Sequence, residues 1–366
     1  MSFCFFYYGM SYSLNESAEP CLRGVAMAAA SPLGVEDLGL QRDVWQGHVP
    51  CVFSLAPEEI TTMSAEPPRS HYMLLPRHSY LPSAAAMVIA HFKAFAPAFA
   101  RDHEAWFEVD GGQPLKWHLP IGVLFDLHGR PRAPALPWPI VLHFQHFPRA
   151  ELLATDGDAL AAAKYRYLNS LKQMLFLKHG RAGIKWVQSL SAAEQAQLWN
   201  SVAGNNVDMY LQVTRQLQAL PVTRLPIRVA LPGLPLLQRP VRPAHDDGRA
   251  LTLGDALLLL LPHMFRRAEP DPAAGGTAAP GEGGERGGVA VSTGGESAAA
   301  DGADGAGGAG GAAAPPAPPT AAAVEPVESG TAACVQGVFP ALDTPLLALC
   351  QLLSHPDAGL YITITS

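Results

Sequence analysis

The chain has 366 residues, a formal net charge of -7, 48% hydrophobic residues, and 34 copies each of glycine and proline. Its length suits two or three domains, and with no apolar run of about 18 residues a membrane-spanning helix is not expected. The glycines and prolines cluster: residues 268–333 are almost wholly Ala, Gly, Pro, Ser, Glu and Asp. That stretch has too few large apolar side chains to offset its ordering entropy, so it is expected to be a disordered, mildly acidic insert. Because it carries much of the negative charge, the net value says little about the partners of the folded parts.

Residues 1–40 read as a disordered extension. Its aromatic run, Phe3 to Tyr8, follows no basic segment, so a signal peptide is not expected. Met27, just before Ala28-Ala29-Ala30, offers an alternative start. Order is expected from about Gln41, with Asp43 to Trp45 opening a short helix or turn. Val49–Leu55 and Tyr72–Pro76 read as strands, and residues 83–97 as a helix with Met87, His91 and Phe95 one turn apart. Trp106 to Val109 is β-prone, and Asp110-Gly111-Gly112 supplies residues that tolerate positive φ. Leu115 and Trp117 then resume the alternation. Pro120 suits a first helical turn, with Val123, Leu124 and Leu127 on one face, and Ile140–Phe144 closes the unit as a strand.

From residue 150 to 219 glycine and proline nearly vanish, and Leu168, Leu171, Leu175, Leu198, Tyr210, Leu211 and Leu217 mark two or three helices. Gly180 and Ala182-Gly183 are expected to break the first from the second, and Asn205-Asn206 the second from the third. Strands return over Ile227–Val229 and Pro235–Val241, the latter with Arg239 and Arg242 outward. Thr252 and Asp255 have the spacing of an N-cap and its N3 partner. The pattern resumes after the insert at Val335–Phe339, followed by a helix begun by Pro345 and a last strand, Leu360–Ile364. First and last parts thus repeat one order of elements, the order from which a ubiquitin-like β-grasp is built. The expected architecture is α+β: a first ubiquitin-like domain over 41–149, a helix-rich domain over 150–219, and a second ubiquitin-like domain over 220–366 interrupted by the insert.

Residues able to do chemistry are present but form few recognisable constellations. Five cysteines, Cys4, Cys21, Cys51, Cys334 and Cys350, lie scattered without a Cys-x-x-Cys pair. That usage fits a reducing compartment better than disulfides or zinc. Neither His143 with His146 nor His118 with His128 has metal-site spacing. Cys51 inside a strand, and Asp126 near His128, are the weak candidates for a thiol or histidine hydrolase. Lys164, Arg166, Lys172, Lys178, Arg181 and Lys185 follow one another with no intervening acid. They read as a solvated basic face, or as a contact for an acidic protein or anionic membrane. Without interleaved aromatics they do not indicate nucleic acid.

Trp106-Phe-Glu108 followed by Pro114-Leu-Lys-Trp-His-Leu-Pro-Ile-Gly-Val-Leu-Phe-Asp-Leu127 resembles the signature of the autophagy protein 5 family nearly residue for residue. Arg42-Asp-Val-Trp45, Glu59-Ile-Thr61, Leu74-Leu-Pro-Arg77, Ser79-Tyr-Leu81 and Phe144 with Phe147-Pro148 extend the likeness, as do Arg239-Pro240, Arg242-Pro243, Thr252-Leu-Gly-Asp255 and Thr344-Pro-Leu346. They keep the family's order from about residue 41 to 365. The resemblance implies two ubiquitin-like domains flanking a helix-rich one, and a scaffold with no catalytic residue, cofactor or metal of its own. It implies an isopeptide bond between a lysine of the helical domain and autophagy protein 12, made by E1-like and E2-like enzymes. With the coiled-coil autophagy protein 16, the conjugate would promote lipidation of autophagy protein 8 with phosphatidylethanolamine, in the cytoplasm and peripherally on preautophagosomal membranes. Alignment on Leu177-Lys178-His179 puts the acceptor at Lys172, with Lys178 and Lys164 as runners-up. Acidic residues of the family around that lysine are replaced by Leu171, Gln173, Leu175 and Phe176. Partner contacts are expected at Trp45, Trp117 and Arg239. The alternative is an unconjugated membrane or protein adaptor using the basic block.

Overall fold

Alternate burial of Val49, Cys51, Phe53 and Leu55 makes β1 (His48–Leu55) a strand with one face in the core. In the computed structural model, which describes residues 35–61, 68–100, 103–109, 112–129, 136–155, 157–268 and 323–365, β1 pairs antiparallel with β2 (His71–Pro76) and parallel with β5 (Trp138–His143). Adding β3 (Trp106–Val109) and β4 (Gln113–Pro114) gives the order β2-β1-β5-β3-β4. First and last strands lie side by side at the centre with antiparallel partners outside, which is the β-grasp. Leu81, Ala84, Ala85, Val88 and Phe92 of α2 (Leu81–Phe92) join that core. The helix begins earlier and ends sooner than 83–97, and its Met87 is 58% exposed, so the stripe through Met87 and His91 is not the packing face.

α1 (Val35–Trp45) begins inside the expected 1–40 extension, and Asp43 to Trp45 close this helix instead of opening one. Its anchor is Trp45, whose ring lies 4.8 Å from both His78 and Tyr210. Residues 1–34 lie outside the described ones, as do Cys4 and Cys21.

The helical block holds four helices among the described residues where two or three were expected: α4 (Ala159–His179), α5 (Arg181–Ser189), α6 (Ala192–Ala203) and α7 (Val207–Thr214). Ser191 and Glu194 form a full capping box at the start of α6, which makes the unforeseen break. Gly180, at φ +61°, separates α4 from α5 as expected. Gly183 does not break a helix; it lies within α5, where α5 meets α4. A Cβ there would stand 2.3 Å from the Leu175 carbonyl oxygen. Gly183→Ala must push the two helices apart, and the expected loss is about 1–3 kcal/mol, read as a lower denaturant midpoint for the helical signal. An unchanged midpoint would show that the contact yields freely.

In the second ubiquitin-like domain the order is β10-β11-β6-β7, formed by β6 (Leu225–Ala230), β7 (Leu237–Val241), β10 (Ala332–Cys334) and β11 (Leu360–Thr365), with β6 and β11 parallel at the centre. Thr252 and Asp255 form the capping box of α8 (Leu253–Leu260), and Pro345 caps α9 (Leu346–Leu352). A two-stranded antiparallel sheet pairs β8 (Phe265–Arg267) with β9 (Val324–Pro326), with an Arg266–Glu325 ion pair of 2.9 Å across it. The 268–333 boundary is therefore corrected: residues 323–333 already belong to the folded domain, because Val324 packs on its core and β10 extends its sheet. The remainder of that segment, 269–322, lies outside the described residues.

α3 (Ile121–His128) has two working faces where one was expected. Ile121, Leu124 and Phe125 enter the first core, while Val123 and Leu127 pack on Ala230 and Tyr361 of the second domain.

Candidate functional site

α4 is begun by Asp158, whose carboxylate accepts from the Ala161 N–H at 2.8 Å. Ala163, Tyr167, Leu171, Met174 and Leu175 form its buried stripe. Lys172 lies just off that stripe and is exposed. The outer face around it carries two uncovered aromatic rings, Tyr165 at 70% exposed and Phe176 at 42%. Lys164 is half-buried. Lys178 is half-buried too, but in a cleft against the second domain, and burial lowers its pKa. Of the three lysines considered, only Lys172 combines exposure with a position on an open helix face.

Roughly 200° round the helix from Lys172, Ser170 ties α4 to the rest of the molecule. Its hydroxyl donates to Asp357 at 2.5 Å. Asp357, fully buried, also takes the Arg228 guanidinium at 2.6 Å and the Tyr361 hydroxyl at 3.0 Å. Burial alone would raise the Asp357 pKa; Arg228 and His355 outweigh it and hold the carboxyl well below the usual range. The first domain joins through Tyr80, whose ring packs against Tyr167, Trp199 and His355, and through the His78 carbonyl, 2.9 Å from His355 Nε2. A second buried pair, Arg77–Asp126 at 2.5 Å, accepts the Gly337 N–H of the second domain at 3.1 Å. Asp126 is thereby committed to the domain boundary and not to acid–base work with His128. Arg228 was the residue most thoroughly missed from sequence, since an alternating strand gives no sign of a buried ion pair.

The expected partner contacts separate into three situations. Trp117 is 9% exposed in the helical-block core and donates its indole N–H to the Leu153 carbonyl at 2.7 Å; it binds the domains together, which corrects its reading as a surface for partners. Trp45 is 3% exposed and lines the cleft that contains Lys178. Arg239 stands exposed on β7, a strand at the sheet edge. Cys51 is buried in β1 and its thiol is pushed up to about 12 by burial, which removes the thiolate that a hydrolase needs. Among the described residues no three His, Cys, Asp or Glu are grouped to hold a metal ion, and no helix is long and apolar enough to cross a membrane.

Three family models match in sequence order: "Autophagy protein ATG5, UblA domain" over residues 44–144, the alpha-helical bundle region of the same protein over 161–220, and its UblB domain over 224–364. The autophagy protein 5 of Oryza sativa subsp. indica is 31% identical over 272 residues, covering 61% of this chain and 69% of its own. That of Aspergillus clavatus is 30% identical over 272 residues, 62% of this chain and 83% of its own. The crystal structure of Kluyveromyces marxianus Atg5 shares the fold at a TM-score of 0.60 and 18% identity, covering 89% of this chain and 99% of that one. With its two β-grasp domains, its helical bundle and these relatives, the chain belongs to the autophagy protein 5 family, and its role is in autophagy.

Proposed function

We propose that this chain is a conjugation scaffold whose Lys172 accepts the C-terminal glycine of autophagy protein 12. The observation that carries the reading is the exposure of Lys172 on α4, the position that aligns with the family's acceptor segment. The amine attacks the thioester held by an E2-like enzyme. A C–N bond forms, the C–S bond breaks, and the thiol leaves with the proton lost from nitrogen. Such an amine must reach into another protein's active site, which favours an open helix face over the cleft that holds Lys178. The chain supplies no general base, so activation falls to the enzyme. Joined to its modifier and to autophagy protein 16, the scaffold orients the transfer of autophagy protein 8 to phosphatidylethanolamine at a membrane surface, working from the cytoplasm.

Reconstitution with the modifier and its E1-like and E2-like enzymes tests the acceptor. Wild-type chain is expected to yield a band heavier by one ubiquitin-like protein that survives boiling in reductant. Lys172→Arg keeps the charge but removes the nucleophilic amine, and should abolish that band, while Lys178→Arg retains it. The reverse pattern would transfer the acceptor role to Lys178. Salt-sensitive binding of the unmodified chain to anionic vesicles, with no conjugate formed, would instead favour the adaptor reading.

A further inference from the structure

β2 ends one side of the first ubiquitin-like sheet, and among the described residues no strand lies beyond it. Pro50, opposite Leu74, has no N–H to give, so the ladder to β1 runs through the pairs Val49–Leu75, Cys51–Met73 and Phe53–His71. Tyr72 and Leu74 therefore turn their N–H and C=O groups to the open edge, and their side chains are 69% and 67% exposed. Native sheets blunt such an edge with lysine, an internal proline or a bulge. β2 has none of these: its register is unbroken over six pairs, and its one proline is its last residue, Pro76. α2 stands beside the edge. The His91 ring lies 4.8 Å from that of His71, and Met87, one turn earlier, is exposed. His91 Nε2 lies 2.8 Å from the Arg69 carbonyl oxygen, which joins the start of β2 to the end of α2. Arg69 and Lys93 are both exposed at that end. Neither β1 nor any residue from 68 to 100 is Asp or Glu, so the rim of the edge is one-sidedly basic.

We propose that the β2 edge takes up an extended segment of a partner protein as an added antiparallel strand, apolar at alternate residues and ending in Asp or Glu. The backbone of the segment pairs with Tyr72 and Leu74, and its apolar side chains cover theirs. Antiparallel pairing brings its acidic C-terminal end beside Arg69 and Lys93, which sets direction and register. A second copy of this chain would offer the same acid-free strand and would set cation against cation. The contact uses neither Lys172 nor the cleft of Lys178, so it is separate from conjugation.

The test uses the full chain and the peptide fluorescein-Val-Thr-Ile-Thr-Val-Asp-Glu-Asp-amide. Its anisotropy should rise saturably, and hydrogen exchange of the Tyr72 and Leu74 amides, followed by mass spectrometry over residues 69–76, should slow at saturation. An analogue with lysine in place of the three acids, and one N-methylated throughout its Val-Thr-Ile-Thr-Val run, should each bind at least tenfold more weakly. Arg69→Glu combined with Lys93→Glu should reverse the preference between the acidic and the lysine peptide, which a variant that had merely unfolded could not do. Equal binding of the N-methylated peptide, unchanged exchange over 69–76 under saturating peptide, or no saturable binding overturns the proposal. Slowing of those amides by rising protein concentration alone would give the edge to a second copy. Slowing by vesicles of phosphatidylserine and phosphatidylcholine, but not by the peptide, would give it to a membrane. Either result overturns the partner segment.

Discussion

Asp357→Asn should cost about 3–5 kcal/mol, the penalty for breaking a buried ion pair and leaving one charge behind. The stranded group is Arg228, 7% exposed in β6, and the neutral amide cannot replace the carboxylate that also accepts from Ser170 and Tyr361. The loss spans domains, because Arg228 and Tyr361 belong to the second ubiquitin-like sheet and Ser170 to the helical block. Unfolding monitored in denaturant should therefore show the variant's helical and β signals shifting together. Arg228→Met with Asp357→Asn should lose less than the sum of the two single changes, since removing both charges leaves none unpaired. Strict additivity of the two would mean that the pair does not couple. Since the Asp357 pKa is held well below its unfolded value of about 3.9, its contribution is complete above that pH and is lost as pH falls further. The gap between wild type and Asp357→Asn should accordingly be constant from neutral pH down to about 4 and shrink below it.

What could be read from sequence follows the range of the interactions involved. Strand alternation in Val49–Leu55, the Thr252–Asp255 capping box and the prolines ahead of α3 and α9 act within a few residues, and each is where the pattern put it. The Ser191–Glu194 box was equally local and could have been read from the same spacing. Arg228 finds Asp357 129 positions away, a distance at which no periodicity reports. β9 and β10 escaped notice because three-residue strands of Val-Glu-Pro and Ala-Ala-Cys resemble the low-complexity stretch before them in composition; pairing with β8 and β11 makes them strands. For the lysines, spacing alone could not separate Lys172 from Lys178. Both sit in one acid-free run, and only the arrangement of the second domain around α4 leaves the first open and encloses the second.

Acid should weaken this protein well before its carboxylates titrate. Burial lowers the pKa of His118 and of His179 to about 4, and pushes those of His78 and His128 down as well. In the unfolded chain these rings protonate near pH 6.5. Between that value and the folded pKa the unfolded state binds more protons than the native one, so stability falls as pH falls. A ring moved from 6.5 to about 4 forfeits up to about 3 kcal/mol over that interval at 1.36 kcal/mol per unit. Two such rings together forfeit up to about 6 kcal/mol, comparable to the lower end of an ordinary stability margin of about 5–15 kcal/mol. His118 is the one to change. Its buried Nδ1 has no partner, and its ring packs edge-on to Trp117 while Arg166 and Lys116 oppose its protonation. His118→Phe removes the titrating group at small cost in shape. Denaturant unfolding at a series of pH values should show the variant close to wild type at pH 7.5 and more stable than wild type at pH 5. Its stability should fall less steeply between them, by about one proton's worth of slope. Parallel curves for the two proteins would mean that the folded His118 ring takes up its proton over the same pH range as the unfolded one, and that burial does not oppose its protonation.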